Sequence, residues 1–209
     1  MPASDVAVEE RPAPSASVEP VVNDFSIQVA TVNGSGSQTA NLVLLRAIFQ
    51  MGVPVSGKNM FPSNIAGLPT WFTIRTNKDG YIGWKKKTEV LVAMNPETAR
   101  EDTLNLDADS MVVYDESLKL DSVRSDLVFY PVPFDRLVAE VTRDVKMRRR
   151  IRNMIYDGVL SRLLGVDLDQ MEIALRKQFG NKVKVVALNR QALDVGYAFA
   201  EQHLEIRDP

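Results

Sequence analysis

From residue 25 onward, short apolar runs alternate with stretches whose apolar positions recur every three or four residues. FSIQVAT (25–31) is short, alternating and rich in β-branched residues, which predicts a buried first strand. After the glycine-containing VNGSGSQT, the run TANLVLLRAIFQMG places Leu42, Leu45, Ile48 and Phe49 at helical spacing and stops at Gly52. VPVS opens a second extended piece. TWFTIR (70–75) and YIGWKK (81–86) flank TNKDG, whose Asp-Gly pair predicts a hairpin. TEVLVAM (88–94) predicts a buried strand closed by Asn95-Pro96, with a helix from about Glu97 to Leu104. SMVVYDE (110–116) and DLVFYPVP (126–133) predict two further strands.

The C-terminal third turns helical. Ile151, Met154, Ile155, Val159 and Leu163 recur at three- and four-residue spacing, and Gly165 closes that pattern. DLDQMEIALRKQFG predicts a shorter helix ending at Gly180, and NRQALDVGYAFAEQ a last one with Asn189 as its N-cap. Strands alternating with helices predict an α/β fold: a Rossmann-like three-layer sandwich around a mostly parallel sheet, with a helical C-terminal third. Pro2, Pro12, Pro14 and Pro20 stand among Ala, Ser, Val and Glu, so residues 1–23 read as a disordered leader. The folded domain is expected over 24–204, with 205–209 as a tail or the start of a linker.

Composition narrows the chemistry. With 209 residues, 45% of them hydrophobic, one domain with a full core is expected. The formal charge of −2 supplies no global field toward nucleic acid or anionic lipid. No cysteine is present, which removes thiol catalysis and the usual ligands of iron–sulfur clusters. His203 is the only histidine, so no metal site is expected. No apolar run reaches the ~18 residues of a membrane span, and the acidic start does not resemble a signal peptide. A cytoplasmic protein without membrane or nucleic-acid partners is the resulting expectation.

The segment Asn33-Gly34-Ser35-Gly36-Ser37-Gln38 lies between a strand and a helix. That arrangement aims backbone N–H groups and a positive dipole end at an anion, or else needs glycine only for a tight turn. The dinucleotide fingerprint fits poorly, because Thr39 occupies the third glycine position and no acidic ribose ligand follows. GVPVSGKN (52–59) has P-loop spacing, but Asn59 stands where Ser or Thr would hold magnesium. Ser63 and Asn64 offer donors on a proline-stiffened loop. Lys58 is a weaker candidate for a phosphate contact. In KMRRRIRN (146–153), Arg148, Arg149 and Arg152 fall mostly off the buried face, predicting a solvated or subunit-facing surface. His203 reads as a surface residue, and Asp115 and Glu116 as caps first and a site second. No nucleophile–base pair can be assembled, so no catalytic residue is expected.

VNGSGSQTAN, NMFPSNIAGLPTWFTIR and VLVAMNPET together resemble the gamma domain of 2-oxoacid:ferredoxin oxidoreductases, in the form fused ahead of the alpha chain in 2-oxoglutarate-type enzymes. The likeness continues through IRNMIYDGVLSRLLG and LNRQALDVGYAFA. In the wider family the first loop looks like Gly-x-Gly-Gly-Gln-Gly; here it is Gly34-Ser35-Gly36-Ser37-Gln38-Thr39, with serine and threonine replacing two glycines.

The resemblance implies thiamine diphosphate-dependent oxidative decarboxylation of a 2-oxoacid, electron transfer through iron–sulfur clusters to ferredoxin, and acyl transfer to coenzyme A. The gamma domain is the one associated with coenzyme A; thiamine and clusters belong to alpha and beta partners, and the isolated chain is expected to be inactive. Coenzyme A is expected on Asn33, Gly34, Ser35, Gly36, Ser37 and Gln38, with Ser63, Asn64 and Asn95 approaching from neighbouring loops. A scaffold domain of the same complex and, more remotely, an NADP-type reductase are the alternatives. The chain ends at EQHLEIRDP, leaving open a natural split or a cut ahead of an alpha domain.

Overall fold

The computed structural model describes residues 22–62 and 65–207. Six strands form one sheet in the order β2-β3-β1-β4-β5-β6. They are β1 (Asp24–Val32), β2 (Val55–Met60), β3 (Pro69–Asn77), β4 (Val90–Ala93), β5 (Met111–Asp115) and β6 (Val128–Val132). β1, β4, β5 and β6 pair in parallel, while β3 runs antiparallel to both β1 and β2. The mostly parallel α/β sheet expected from the strand–helix alternation is therefore present.

Six helices accompany the sheet: α1 (Ser37–Gln50), α2 (Ala99–Leu104), α3 (Phe134–Val141), α4 (Val145–Leu164), α5 (Leu168–Phe179) and α6 (Val183–His203). Alternation along the strands sorts side chains to two faces. Ile27, Val29, Val90, Val92, Met111 and Val113 join a large core with α1 and α3–α6. Ala30, Leu91, Ala93, Val112 and Tyr114 face a smaller core with Ala99 of α2 and Leu120. The indole of Trp71 donates to Asp102 Oδ1 at 3.0 Å, tying β3 to α2 on that thinner side. All four β4 residues are buried, as a central parallel strand requires. Among the described residues no helix is long and apolar enough to cross a membrane.

Two local expectations are corrected, and one helix is added. Asp79-Gly80 does form a turn, with Gly80 N–H donating to the Asn77 carbonyl at 3.0 Å. Residues 81–86 nonetheless make no returning strand. β3 is already paired along one edge with β1 and along the other with β2, so no edge remains for a hairpin partner. The last helix starts at Val183, and Asn189 lies inside it, buried, donating to the Val185 carbonyl at 2.8 Å rather than capping. α3 was not anticipated, although Phe134, Leu137, Val138 and Val141 carry its apolar spacing. The expected leader falls mainly on residues 1–21, outside the described residues.

α4 and α6 touch through glycine. A Cβ on Gly158 would stand 2.0 Å from the Leu193 carbonyl oxygen, and one on Gly196 would stand 2.1 Å from that of Ile155. Both obstacles are backbone, so they cannot rotate away. Gly158→Ala must therefore separate the helices, and we expect destabilisation at or above the upper end of the roughly 1–3 kcal/mol typical of overpacking. Denaturant midpoints of parent and variant check this; equal midpoints would contradict the close crossing.

Candidate functional site

β1 delivers the chain at Val32 into the glycine loop, and the loop delivers it into α1. Gly34 and Gly36 have φ of 87° and 84°, the left-handed region that glycine enters without strain. Gly36 is the N-cap of α1; no side chain caps that end, and no acidic residue occupies its first turn. The orphan N–H groups and the positive end of the helix dipole are thus left for an anion.

The loop is held from several sides. Ser35 N–H donates to the Val32 carbonyl at 3.1 Å, and Asn153 Nδ2 of α4 donates to the Ser35 carbonyl at 2.9 Å. The Tyr156 hydroxyl, three residues further along α4, donates to Asn41 Oδ1 in α1 at 2.8 Å. Asn33 binds the 65–68 segment: its N–H donates to the Leu68 carbonyl at 2.8 Å, its amide donates to that of Ile65 at 3.0 Å, and its carbonyl accepts from Gly67. The Ser37 hydroxyl is turned inward, 2.8 Å from Thr31 Oγ1. Ser35 Oγ is buried without a hydrogen-bond partner.

Gly34, Ser35, Gly36 and Thr39 line a cleft of about 900 Å³, within the range of small-molecule and cofactor sites. Its other walls come from α4 between Met147 and Asn153, from Phe179 of α5, and from the stretch Lys182–Asn189 that opens α6. Met147, Ile151, Phe179, Val185 and Leu188 make it largely apolar. No aspartate or glutamate is among its described lining residues.

The cations divide into two sets. Arg152 is committed: it pairs with Asp115 and with Asp135, the latter at 3.0 Å, and its guanidinium lies 5.2 Å from the Phe134 ring centre. Arg149, Arg150, Lys182 and Lys184 are exposed, and none has an ion pair or side-chain hydrogen bond among the described residues. Lys182 and Lys184 stand at the N-terminus of α6, where the backbone dipole disfavours positive charge. The first turn of α6 contains no acidic residue to offset it, whereas the N-terminus of α4 is capped by the Asp144 carboxylate, which accepts from the N–H groups of Lys146 and Met147. The cleft thus combines an uncapped helix end, a glycine loop and four free cations, a setting for a polyanionic ligand with an apolar part.

The expected site residues scatter more than the sequence implies. Gly34, Ser35 and Gly36 line the cleft, and Ser37 and Gln38 begin the adjoining helix. Asn33 is not a lining residue and instead anchors the neighbouring loop. Asn95 is buried, donating to the Thr31 carbonyl at 3.4 Å and accepting from Glu97 N–H at 3.0 Å. Ser63 and Asn64 lie outside the described residues. Lys58 is exposed on edge strand β2 and is not among the cleft residues. Asp115 caps the 3-10 turn Glu116–Leu118 as well as pairing with Arg152. His203 stacks on Phe199 at the far end of α6. Arg149, Arg150, Lys182, Lys184 and Asn153 were not anticipated as site residues. KMRRRIRN was visible as a basic run, but its proximity to the glycine loop exists only in the folded chain.

One turn beyond Asn153, Asp157 is fully buried and neither carboxylate oxygen has a hydrogen-bond partner. Burial pushes its carboxyl well above the usual carboxylate range. The folded chain therefore keeps this proton where the unfolded chain has released it, so its contribution to stability is lost as pH rises from about 4 toward the raised folded value. We expect Asp157→Asn to be more stable than the parent near pH 8, with the advantage vanishing near pH 3. Each pH unit between the two pKa values changes the parent's folding constant by up to about tenfold. Denaturant titrations across that range check the sign; an advantage for the variant that does not grow with pH would contradict it.

Residues 26–199 match the family profile described as pyruvate ferredoxin/flavodoxin oxidoreductase. No curated protein matches the chain significantly. Among solved structures, the chain is similar to 2-oxoglutarate:ferredoxin oxidoreductase from Magnetococcus marinus, solved with 2-oxoglutarate, coenzyme A and succinyl-CoA bound, at TM-score 0.73 and 24% identity. That match covers 90% of this chain but 33% of the other, so this chain spans about a third of that relative. It is also similar to a pyruvate oxidoreductase subunit from Thermotoga maritima, at TM-score 0.65 and 20% identity over 84% of this chain and 96% of that one. A third likeness is to the gamma subunit of a keto/oxoacid ferredoxin oxidoreductase from Geobacter sulfurreducens, at TM-score 0.67 and 16% identity over 85% and 99%. At these identities the structural likeness speaks for the fold.

Proposed function

This chain belongs to the pyruvate ferredoxin/flavodoxin oxidoreductase family, and on that footing we propose that it is the gamma domain of a 2-oxoacid:ferredoxin oxidoreductase, of the 2-oxoglutarate type, whose task is to bind coenzyme A. The observation that carries this reading is the cleft, whose lining combines a glycine loop and an uncapped helix end with unpaired cations and apolar side chains. Coenzyme A has a diphosphate, a further phosphate, an adenine and a long, weakly polar arm, which matches that mixture. Thiamine diphosphate and iron–sulfur chemistry would be supplied by alpha and beta partners, with ferredoxin as electron acceptor. This chain's own residues bind and orient the thiol-bearing acceptor of the acyl group.

In this reading the N–H groups at Gly36–Gln38 receive the diphosphate oxygens, the Ser35 N–H being held by the Val32 carbonyl. Gly34 and Gly36 let the backbone approach, and Asn153 holds the loop in place from α4 through the Ser35 carbonyl. The fused arrangement, in which gamma precedes alpha in one polypeptide, is part of the same proposal and is consistent with the chain spanning about a third of the Magnetococcus enzyme. The scaffold reading draws on a separate observation. Met60, Phe61, Ile65 and Leu68 are exposed apolar residues on the segments flanking the loop that Asn33 anchors. We assign that surface to contact with the partner subunits, which makes scaffolding a companion to ligand binding.

Titration of the native assembly with coenzyme A, and in parallel with NADPH, tests the reading. Coenzyme A should bind and NADPH should not. Gly36→Val should weaken coenzyme A by more than tenfold. A β-branched residue at φ 84° is strained by about 1–3 kcal/mol, and tenfold needs only ~1.4 kcal/mol. Lys58→Ala, outside the cleft, serves as the unaffected control. Tight NADPH binding would favour the reductase alternative, and no binding by the assembled complex would leave the scaffold role alone. The chain by itself should show no 2-oxoacid oxidation; turnover by the pure chain would mean that the catalytic inventory has been misread.

A further inference from the structure

We propose that the end of the sheet remote from the cleft is a self-complementary face through which two copies of this chain pair about a two-fold axis. The basic, aromatic segment 78–87 of each copy meets the acidic turn 107–109 of the other. The glycine loop follows the last residue of β1, whereas Lys85 reaches the carbonyl of Asp24, the first residue of β1, at 3.4 Å. At about 3.3 Å per residue, β1 separates these two places by roughly 25 Å. The face is therefore independent of the cleft and of whatever binds there.

The basic segment presents more apolar surface than a solvated loop needs. Tyr81 and Trp84 are 77% and 71% exposed, Tyr81 being the most exposed large apolar side chain among the described residues. Their backbone is not free to tuck them away. Tyr81 N–H donates to Asn77 Oδ1 at 3.0 Å, the Ser56 hydroxyl donates to the Ile82 carbonyl at 2.7 Å, and Lys85 pairs with Glu89 at 2.6 Å. Lys86 and Lys87 are exposed, and neither has an ion pair or side-chain hydrogen bond among the described residues. Fixed aromatic anchors beside free charges have the composition of an interface centre with its polar rim. Across a two-fold axis four rings take part, each offering about 150–250 Å². Together they supply about half of the roughly 1,600 Å² of a standard interface.

The complement lies on the same end of the sheet. The Ser110 hydroxyl donates to the Thr88 carbonyl at 2.9 Å, which sets the start of β5 beside the end of the basic segment. Asp107 and Asp109 are exposed there, and neither has an ion pair or side-chain hydrogen bond among the described residues. Arg124 on that side is committed to Asp126 and to the Leu106 carbonyl at 2.6 Å. Asp109 has φ of 65°, a conformation that glycine enters without strain, so the turn itself does not call for a carboxylate. Leu104, exposed at the end of α2, offers an apolar contact for Trp84 of the other copy. A two-fold axis passing near Thr88 and Ser110 lays each charged segment on its opposite, the isologous arrangement of a closed dimer. An anionic membrane or a uniformly acidic protein would match the lysines and repel the aspartates. A second copy satisfies both.

Sedimentation equilibrium of the full chain at micromolar concentrations tests this. The parent should be a dimer, and raising salt from about 0.1 M to about 1 M should weaken it at least tenfold, because the screening length falls from about 10 Å to about 3 Å. Lys86→Glu/Lys87→Glu and Asp107→Lys/Asp109→Lys should each be monomeric where the parent is dimeric. Their equimolar mixture should dimerise again, since every contact of the mixed pair then joins opposite charges, and so should the chain carrying all four exchanges. That recovery also shows that both variants are folded. Trp84→Ser should weaken the parent dimer at least tenfold. A monomeric parent, a charge variant as dimeric as the parent, or a mixture that stays monomeric overturns the proposal. Loss of the dimer through the lysine exchanges alone overturns it in favour of a different acidic surface, and co-sedimentation of a monomeric parent with phosphatidylserine vesicles would assign the lysines to a membrane instead.

Discussion

The crossing of α4 and α6 without side chains between them is the constraint from which the site follows. Gly158 meets the Leu193 carbonyl and Gly196 meets the Ile155 carbonyl, each leaving no room for a methyl group. Helices in such contact cannot slide by a fraction of a turn, because any movement drives backbone into backbone. α4 therefore acts as a rigid ruler, and successive turns of it do different work. Gly158 sets its place against α6, Tyr156 reaches Asn41 in α1, and Asn153 grips the Ser35 carbonyl in the loop. Arg149 and Arg150, one turn earlier still, form part of the cleft wall. Fold and site are thus joined through consecutive turns of one helix.

The electrostatics of the cleft run against those of the whole molecule. The chain carries a formal charge of −2, yet the described lining residues of the cleft include five basic side chains and no acidic one. One of these, Arg152, is already neutralised by Asp115 and Asp135. The remaining four are exposed, so salt screens them at distances beyond about 8 Å under physiological conditions. Their effect is local: it concentrates on a ligand already inside the cleft and contributes little to long-range steering. A net negative molecule with a short-range positive cleft is suited to selective binding of a small polyanion rather than to coating a nucleic acid.

What the sequence revealed and what it concealed divide along the range of the interactions involved. β1, α1, β4, β5, β6 and α5 follow from apolar period and from glycine stops at Gly52 and Gly180, all of which act within a few residues. The Asp79-Gly80 turn was equally legible, but the absence of a returning strand depends on β1 and β2 holding both edges of β3. The start of α6 was misplaced because Asn189 looks like a cap in isolation. Six residues upstream, Val183, Val185 and Val186 already follow the stop at Gly180. The glycine loop announced itself through its composition. The basic residues did too, but their relation to the loop is a property of how α1, α4 and α6 pack, and no local spacing encodes it.

The same distinction resolves the serine-rich character of the loop. Among residues 33–39 only Gly34 and Gly36 have positive φ, so glycine is retained where the backbone demands it. The positions at which serine or threonine replaces a family glycine, Ser37 and Thr39, lie inside α1 with ordinary helical geometry. A side chain there introduces no strain. Ser37 directs its hydroxyl inward to Thr31, which stitches the end of β1 to the first turn of α1 and keeps the hydroxyl out of the cleft. Thr39 alone of the two contributes to the lining. The added side chains therefore stiffen the loop from beneath instead of filling the space above it. Ser35 Oγ is buried and has no hydrogen-bond partner among the described residues. A partner for it would recover the roughly 1–3 kcal/mol that such a buried, unpaired group costs.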